Sequence, residues 1–144
     1  GCGLGWYLKD LQDFGFTNLM GYEADPPKQK VFDNIIQQDL TNIIESGARG
    51  TVITLEVGEH ISKEYMNNYL TNIELICNNY LITSWAVRGQ EGFGHVNCLD
   101  NHEIIPEIEN RGFKVMEKET KEVRDINLSE APWFKNTLMI FKRV

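Results

Sequence analysis

Residues 1–25 read Gly1-Cys2-Gly3-Leu4-Gly5-Trp6-Tyr7-Leu8-Lys9-Asp10-Leu11-Gln12-Asp13-Phe14-Gly15-Phe16-Thr17-Asn18-Leu19-Met20-Gly21-Tyr22-Glu23-Ala24-Asp25, and the order of signals within them decides the fold. A glycine-rich turn leads straight into Trp6–Phe14, where Tyr7, Leu8, Leu11 and Phe14 recur at helical spacing and Gly15 supplies a stop. Leu19–Glu23 then reads as a strand. A turn of this kind lets a nucleotide-like ligand approach the backbone with no Cβ in the way, although alone it also fits a simple tight turn. Glu23 lies 18 residues beyond Gly5, at the end of the predicted strand, where an acid can accept hydrogen bonds from both hydroxyls of a ribose. Its structural alternative is to cap the turn at Pro26 and Pro27.

Those prolines disfavour a long second helix and shorten the link to the next strand, Phe32–Gln38, which ends at Asp39. Leu40–Ser46 reads as one or two helical turns before Gly47, and Thr51–Leu55 as a strand. After Ser62, a good N-cap, Met66, Tyr69, Leu70, Ile73, Ile76 and Cys77 form the apolar stripe of the best helix in the chain. Tyr80–Val87 is a buried strand, and Gly89–Asn97, with its closely spaced glycines, a mobile loop. Ile104–Asn110 is a short helix closed by Gly112, with Pro106 in its first turn. Phe113–Lys118 and Leu138–Lys142 are strands joined by a polar stretch through Trp133 that shows no helical pattern. The class is α/β: a single Rossmann-like domain over residues 1–144, with a mainly parallel sheet, helices on both faces and an antiparallel C-terminal hairpin.

Carboxylates close successive strands. Asp39 stands 16 residues beyond Glu23, and Glu56 stands 17 beyond Asp39. In an open α/β sheet the carboxyl ends of the strands line the ligand crevice, so Gly3, Glu23, Asp39 and Glu56 are expected along one rim. Asp39 also suits a helix N-cap for Leu40 onward.

The bulk numbers narrow the classes of partner. A set of 14 basic and 21 acidic residues gives a charge of −7, spread along the chain, so nothing draws a phosphate backbone or an anionic membrane to it. Neither a nucleic-acid nor a membrane partner is expected. No apolar run approaches the roughly 20 residues of a membrane span. The default location is cytoplasmic, which agrees with three scattered cysteines that suit reduced thiols.

Three strings carry a family likeness: Gly1-Cys2-Gly3-Leu4-Gly5; Leu55-Glu56-Val57-Gly58-Glu59-His60-Ile61; and Ser84-Trp85-Ala86-Val87 with Gly89-Gln90 and Gly94-His95-Val96-Asn97. The first is generic and the other two are more specific. With them the chain resembles class I S-adenosylmethionine-dependent methyltransferases, small-molecule members in particular, nearly end to end. The resemblance implies that Gly1, Gly3 and Gly5 hold the methionine part of the cofactor S-adenosylmethionine, that Glu23 holds the ribose and that Asp39 faces adenine. It makes Glu56 a further cofactor contact, near the methionine amino group, and implies a small soluble methyl acceptor.

Methyl transfer needs in-line positioning more than acid–base machinery. Where the acceptor still carries its proton, a base near neutral pKa helps, and His60 and His95 each follow a strand on the expected rim. Each also suits a loop histidine bonded to backbone. Gly92-Phe93-Gly94 suggests a lid or substrate loop, and Trp85 belongs to the core. Glu56, His60 and His95 are suitable metal ligands by type, yet no short-spaced ligand pair falls on a predicted helix, so no metal is expected.

The family's sheet runs in the order three, two, one, four, five, seven, six, and the first strand is missing here. Its absence leaves neighbours with unpaired backbone groups. Either a longer gene product supplies that strand or a second copy does, as a homodimer. The alternative to an enzyme is a truncated or non-catalytic methyltransferase-fold domain that serves in assembly or in binding a nucleotide-like ligand.

Overall fold

Gly5, at φ 91°, turns the chain into helix α1, Trp6–Asp13, as the glycine spacing predicts. The computed structural model describes residues 1–45, 47, 49–126 and 130–144. These group into two compact units, Gly1–Asn42 and Ile43–Val144, which are taken in turn.

In the first unit Gly15, at φ 94°, ends α1, its N–H donating to the Gln12 carbonyl while that of Phe16 reaches back to Leu11. Strands β1 (Gly21–Glu23) and β2 (Ile35–Gln37) pair in parallel, Gly21 against Ile35 and Glu23 against Gln37. Residues 24–34 form no helix, the outcome the two prolines dictate. The expected apolar stripe of α1 is only partly used. Leu8 packs where a Gly21 side chain would stand, whereas Tyr7 and Phe14 are exposed, as is Trp6 beside them. Past β2 a turn closes with the Asn42 N–H on the Asp39 carbonyl at 3.1 Å. The helical turns expected over Leu40–Ser46 are thus a tight turn at residues 40–42, and Ser46 lies outside the described residues.

In the second unit β3 (Gly50–Thr54) leads to a single 3₁₀ turn at Gly58–His60, followed by α2 (Met66–Ile76) and β4 (Cys77–Thr83). Helix α3 (Asn101–Glu109), β5 (Phe113–Val115), α4 (Glu117–Asp125), α5 (Phe134–Thr137) and β6 (Met139–Arg143) complete it. The sheet order is β3-β4-β6-β5, with β3 and β4 parallel and β6 antiparallel to both its neighbours. The alternation of strand and helix thus produces a mixed α/β fold. Each sheet agrees with its portion of the family order, β2-β1 with three-two and β3-β4-β6-β5 with four-five-seven-six. Among the described residues β1 pairs only with β2, and β3 only with β4.

Four sequence expectations are corrected. Ser62 does not cap α2: a turn intervenes, with the Tyr65 N–H on the Ser62 carbonyl, and Tyr65 occupies the cap position. Strand β4 starts at Cys77, directly from the helix, and leaves the ladder after Thr83, while Trp85 and Ala86 stay buried outside it. Helix α3 begins at Asn101 with a capping box between Asp100 and Glu103, which leaves Pro106 inside the helix. Two helices, α4 and α5, occupy the stretch between β5 and β6 that reads as non-helical, and Lys118 belongs to α4 rather than to a strand.

The core of this unit combines Tyr69, Leu70 and Ile73 of α2 with Leu81 of β4, Trp85, Ile104 and Ile108 of α3, Phe113 of β5, and Met139 and Phe141 of β6. Each large apolar side chain buried in this way contributes about 1.5–3 kcal/mol. No helix among the described residues is long and apolar enough to cross a membrane.

Candidate functional site

The first unit brings its glycine turn onto the end of β1. The Gly3 N–H, at φ 55°, donates to Glu23 Oε2 at 2.7 Å, and the Ala24 N–H donates to Glu23 Oε1 at 3.0 Å. A Cβ on Gly1 would stand 3.0 Å from Glu23 Oε2, and one on Gly5 would stand 2.8 Å from the Phe32 Cβ. Both glycines therefore serve close approach. The Cys2 N–H donates to the Tyr22 carbonyl at 3.0 Å, which fixes the turn against the strand that carries Glu23. Each Glu23 oxygen keeps a lone pair beyond its amide bond, so the carboxylate can still accept from a diol.

Asp39 follows β2 at the same edge of this two-stranded sheet, where the Gln38 N–H bonds the Glu23 carbonyl at 2.8 Å. Its Oδ1 accepts from both the amide and the hydroxyl of Thr41, at 2.9 and 2.7 Å, and these bonds hold the carboxyl below its ordinary pKa. Asp39 thus closes its own turn. A groove of about 390 Å³ lined by Gln12, Phe16, Leu19 and Phe32, among others, adjoins the start of β1 and presents no ionisable side chain.

The second unit collects Glu56, His60 and His95 around the 3₁₀ turn. Glu56 sits at φ 51°, a left-handed conformation uncommon for a residue with a side chain and enriched at functional sites. Its amide donates to Ser84 Oγ at 2.7 Å, and its Oε2 accepts from Gln90 Nε2 at 2.8 Å, while its buried Oε1 makes no hydrogen bond. His60 donates from Nδ1 to the Gly94 carbonyl at 3.1 Å, and His95 from Nδ1 to the Gln90 carbonyl at 3.2 Å. Because a carbonyl only accepts, both rings carry a proton on Nδ1, and in the neutral imidazole the lone pair is then on Nε2. The rings meet edge to face, with centroids 5.0 Å apart.

The residue that sequence reasoning missed is Glu59. Its side chain is completely buried, and neither carboxylate oxygen makes a hydrogen bond. Burial pushes its carboxyl up to about 7, and the charge of Glu56 adds to this, against the opposing pull of nearby backbone amides and of His95. His95 Nε2 lies 3.9 Å from Glu59 Oε1. In the string it is an acid three residues beyond Glu56 and directly before His60, which alone reads as a solvated turn residue.

The two specific strings are physically one unit. A Cβ on Gly58 would lie 2.2 Å from the Trp85 ring, so only glycine admits the tryptophan, which is buried as core and donates from Nε1 to the Asn97 carbonyl at 2.7 Å. The Glu59 carbonyl in turn accepts the amides of Val96 and Asn97. The loop before them carries Phe93 fully exposed between two glycines.

No family model matches the sequence, and no curated protein does. Solved structures do. Magnesium protoporphyrin IX methyltransferase from Synechocystis PCC 6803 with bound S-adenosylmethionine superposes with a TM-score of 0.54 at 16% identity, over 98% of this chain and 54% of that one. The same enzyme with bound S-adenosylhomocysteine gives 0.53 at 16% identity, over 98% and 59%. This chain spans a little over half the length of those chains. Its fold is that of the class I S-adenosylmethionine-dependent methyltransferases.

Proposed function

We propose that this protein is an S-adenosylmethionine-dependent methyltransferase acting on a small soluble acceptor, in the cytoplasm. The observation that carries this reading is the meeting of the glycine turn with a strand-end acid, the Gly3 N–H on Glu23 Oε2 at 2.7 Å. That arrangement offers a glycine backbone without side-chain obstruction beside a carboxylate with lone pairs to spare. Gly1, Gly3 and Gly5 would hold the methionine part of S-adenosylmethionine, Glu23 the ribose diol and Asp39 the adenine amino group. When bound, the cofactor supplies an electrophilic methyl group on a sulfonium.

The chain's own residues do the rest. His60 and His95 deal with the acceptor's proton through their Nε2 lone pairs, which the Gly94 and Gln90 carbonyls leave free by holding Nδ1–H. The segment 89–97 acts as a substrate loop with Phe93 at its tip, and closure over the acceptor would exclude water. The charge of −7 disfavours nucleic acid as the acceptor.

Calorimetric titration of the folded protein with S-adenosylhomocysteine tests the reading. Saturable binding is expected, weakened about tenfold to a hundredfold in Glu23→Gln, the magnitude of hydrogen bonds to a charged group. Absence of heat at millimolar ligand in a folded sample would remove it.

A further inference from the structure

Glu59 is a completely buried carboxylate with no hydrogen bond to either oxygen. Left as a bare charge it would cost several kcal/mol, so it calls for a neutralising partner. What faces it is unusual. His95 Nε2 stands 3.9 Å from Glu59 Oε1, and one ligand atom each from Glu59, His60 and His95 lie within 4.8 Å of one another.

Both imidazoles are held in the same way, with Nδ1–H on a backbone carbonyl, which in the neutral ring leaves the lone pair on Nε2. Backbone bonds of this kind are how metal-ligating histidines are oriented and made more basic. The glycines of the loop keep the space clear. A Cβ on Gly92 would lie 2.2 Å from His95 Nε2, and one on Gly94 would lie 3.2 Å from His60 Nδ1.

We propose that Glu59, His60 and His95 form a binding site for a divalent first-row transition-metal cation, held by the two Nε2 atoms and a Glu59 oxygen. Two nitrogens and one carboxylate select such ions over Mg²⁺, which prefers an all-oxygen octahedron. Bonds of about 2.0–2.1 Å require ligand atoms to close to roughly 3.4 Å of each other. The exposed ring of His60 can make that movement.

Three protein ligands leave positions open. In the methyl-transfer reading, on which only this role depends, an acceptor hydroxyl bound there gives its proton to solvent more readily. There its oxygen would take the methyl group as the carbon–sulfur bond breaks, the thioether keeping that electron pair. The imidazoles would then act on the acceptor through the ion, in place of taking its proton on Nε2 themselves.

Titration of the full chain with Co²⁺ alone, followed by visible d–d absorption and by far-ultraviolet circular dichroism, tests the site. One ion per chain is expected, displaced by Zn²⁺ and not by a tenfold excess of Mg²⁺. His60→Ala, His95→Ala, Glu59→Gln and Gly92→Ala should each weaken binding at least tenfold, and His102→Ala should leave it unchanged. If Glu59→Gln fails to fold, His60→Ala carries the test, because that ring is exposed. No absorption at millimolar Co²⁺, binding that survives His60→Ala, or binding lost in His102→Ala would each overturn the proposal. Since no cofactor is present in this experiment, cobalt binding without S-adenosylhomocysteine binding keeps the metal site and removes only methyl transfer.

Discussion

At the scale of single residues, the glycines of this chain are explained by what a methyl group in their place would strike. Gly58 shows it best, since a Cβ there would stand 2.2 Å from the ring of buried Trp85. Gly58→Ala is expected to destabilise the fold by about 1–3 kcal/mol through overpacking, read as a lower urea midpoint with an unchanged slope. The likeness to a family points to Gly58 and Trp85 as parts of separate strings, and their contact explains why the strings go together. Glu59 was not legible in the same way. An acid beside a glycine and a histidine reads as a solvated turn residue, and only the packing of Trp85 and the amides of Val96 and Asn97 on its carbonyl reveal that the side chain is buried.

Among the elements, those with an apolar period were readable and those held by polar contacts were not. The stripe from Met66 to Ile76 gave α2, and Gly15 gave the end of α1. Helix α4 has one buried residue, Thr120, and is tied to β6 by the Ile140 N–H on Thr120 Oγ1 at 3.0 Å and by Arg124 Nε on the Leu138 carbonyl at 2.6 Å. Such bonds leave no periodicity. The start of α3 was misplaced because Ile104 and Pro106 resemble a first turn, whereas the Asp100–Glu103 capping box sets it earlier. That cap carries a prediction. Glu103 bonds the Asp100 amide and the Arg88 guanidinium, and with Arg88 as the main cause its pKa falls from 4.5 to about 2. A depressed folded-state pKa contributes stability that is present above 4.5 and is lost as the pH falls through about 2. Glu103→Gln should therefore lower the melting temperature at pH 7, and the difference should shrink below pH 4.5 and vanish near 2, as calorimetric scans across that range would show.

For the whole molecule, the alternation of strand and helix was enough to give the α/β class, while the strand order within each sheet followed only from the likeness to a family. The fold, shared with methyltransferase structures at 16% identity, does not itself select a substrate. Function rests on the site, and the central claim is that Glu23 and the Gly1–Gly5 turn are built for an adenosyl ligand. A crystal structure of the protein with S-adenosylhomocysteine tests it most directly. Both ribose hydroxyls are expected within about 3.2 Å of the Glu23 carboxylate, with the methionine part along Gly1–Gly5. A ligand bound elsewhere, with Glu23 still engaged only by the amides of Gly3 and Ala24, would contradict it.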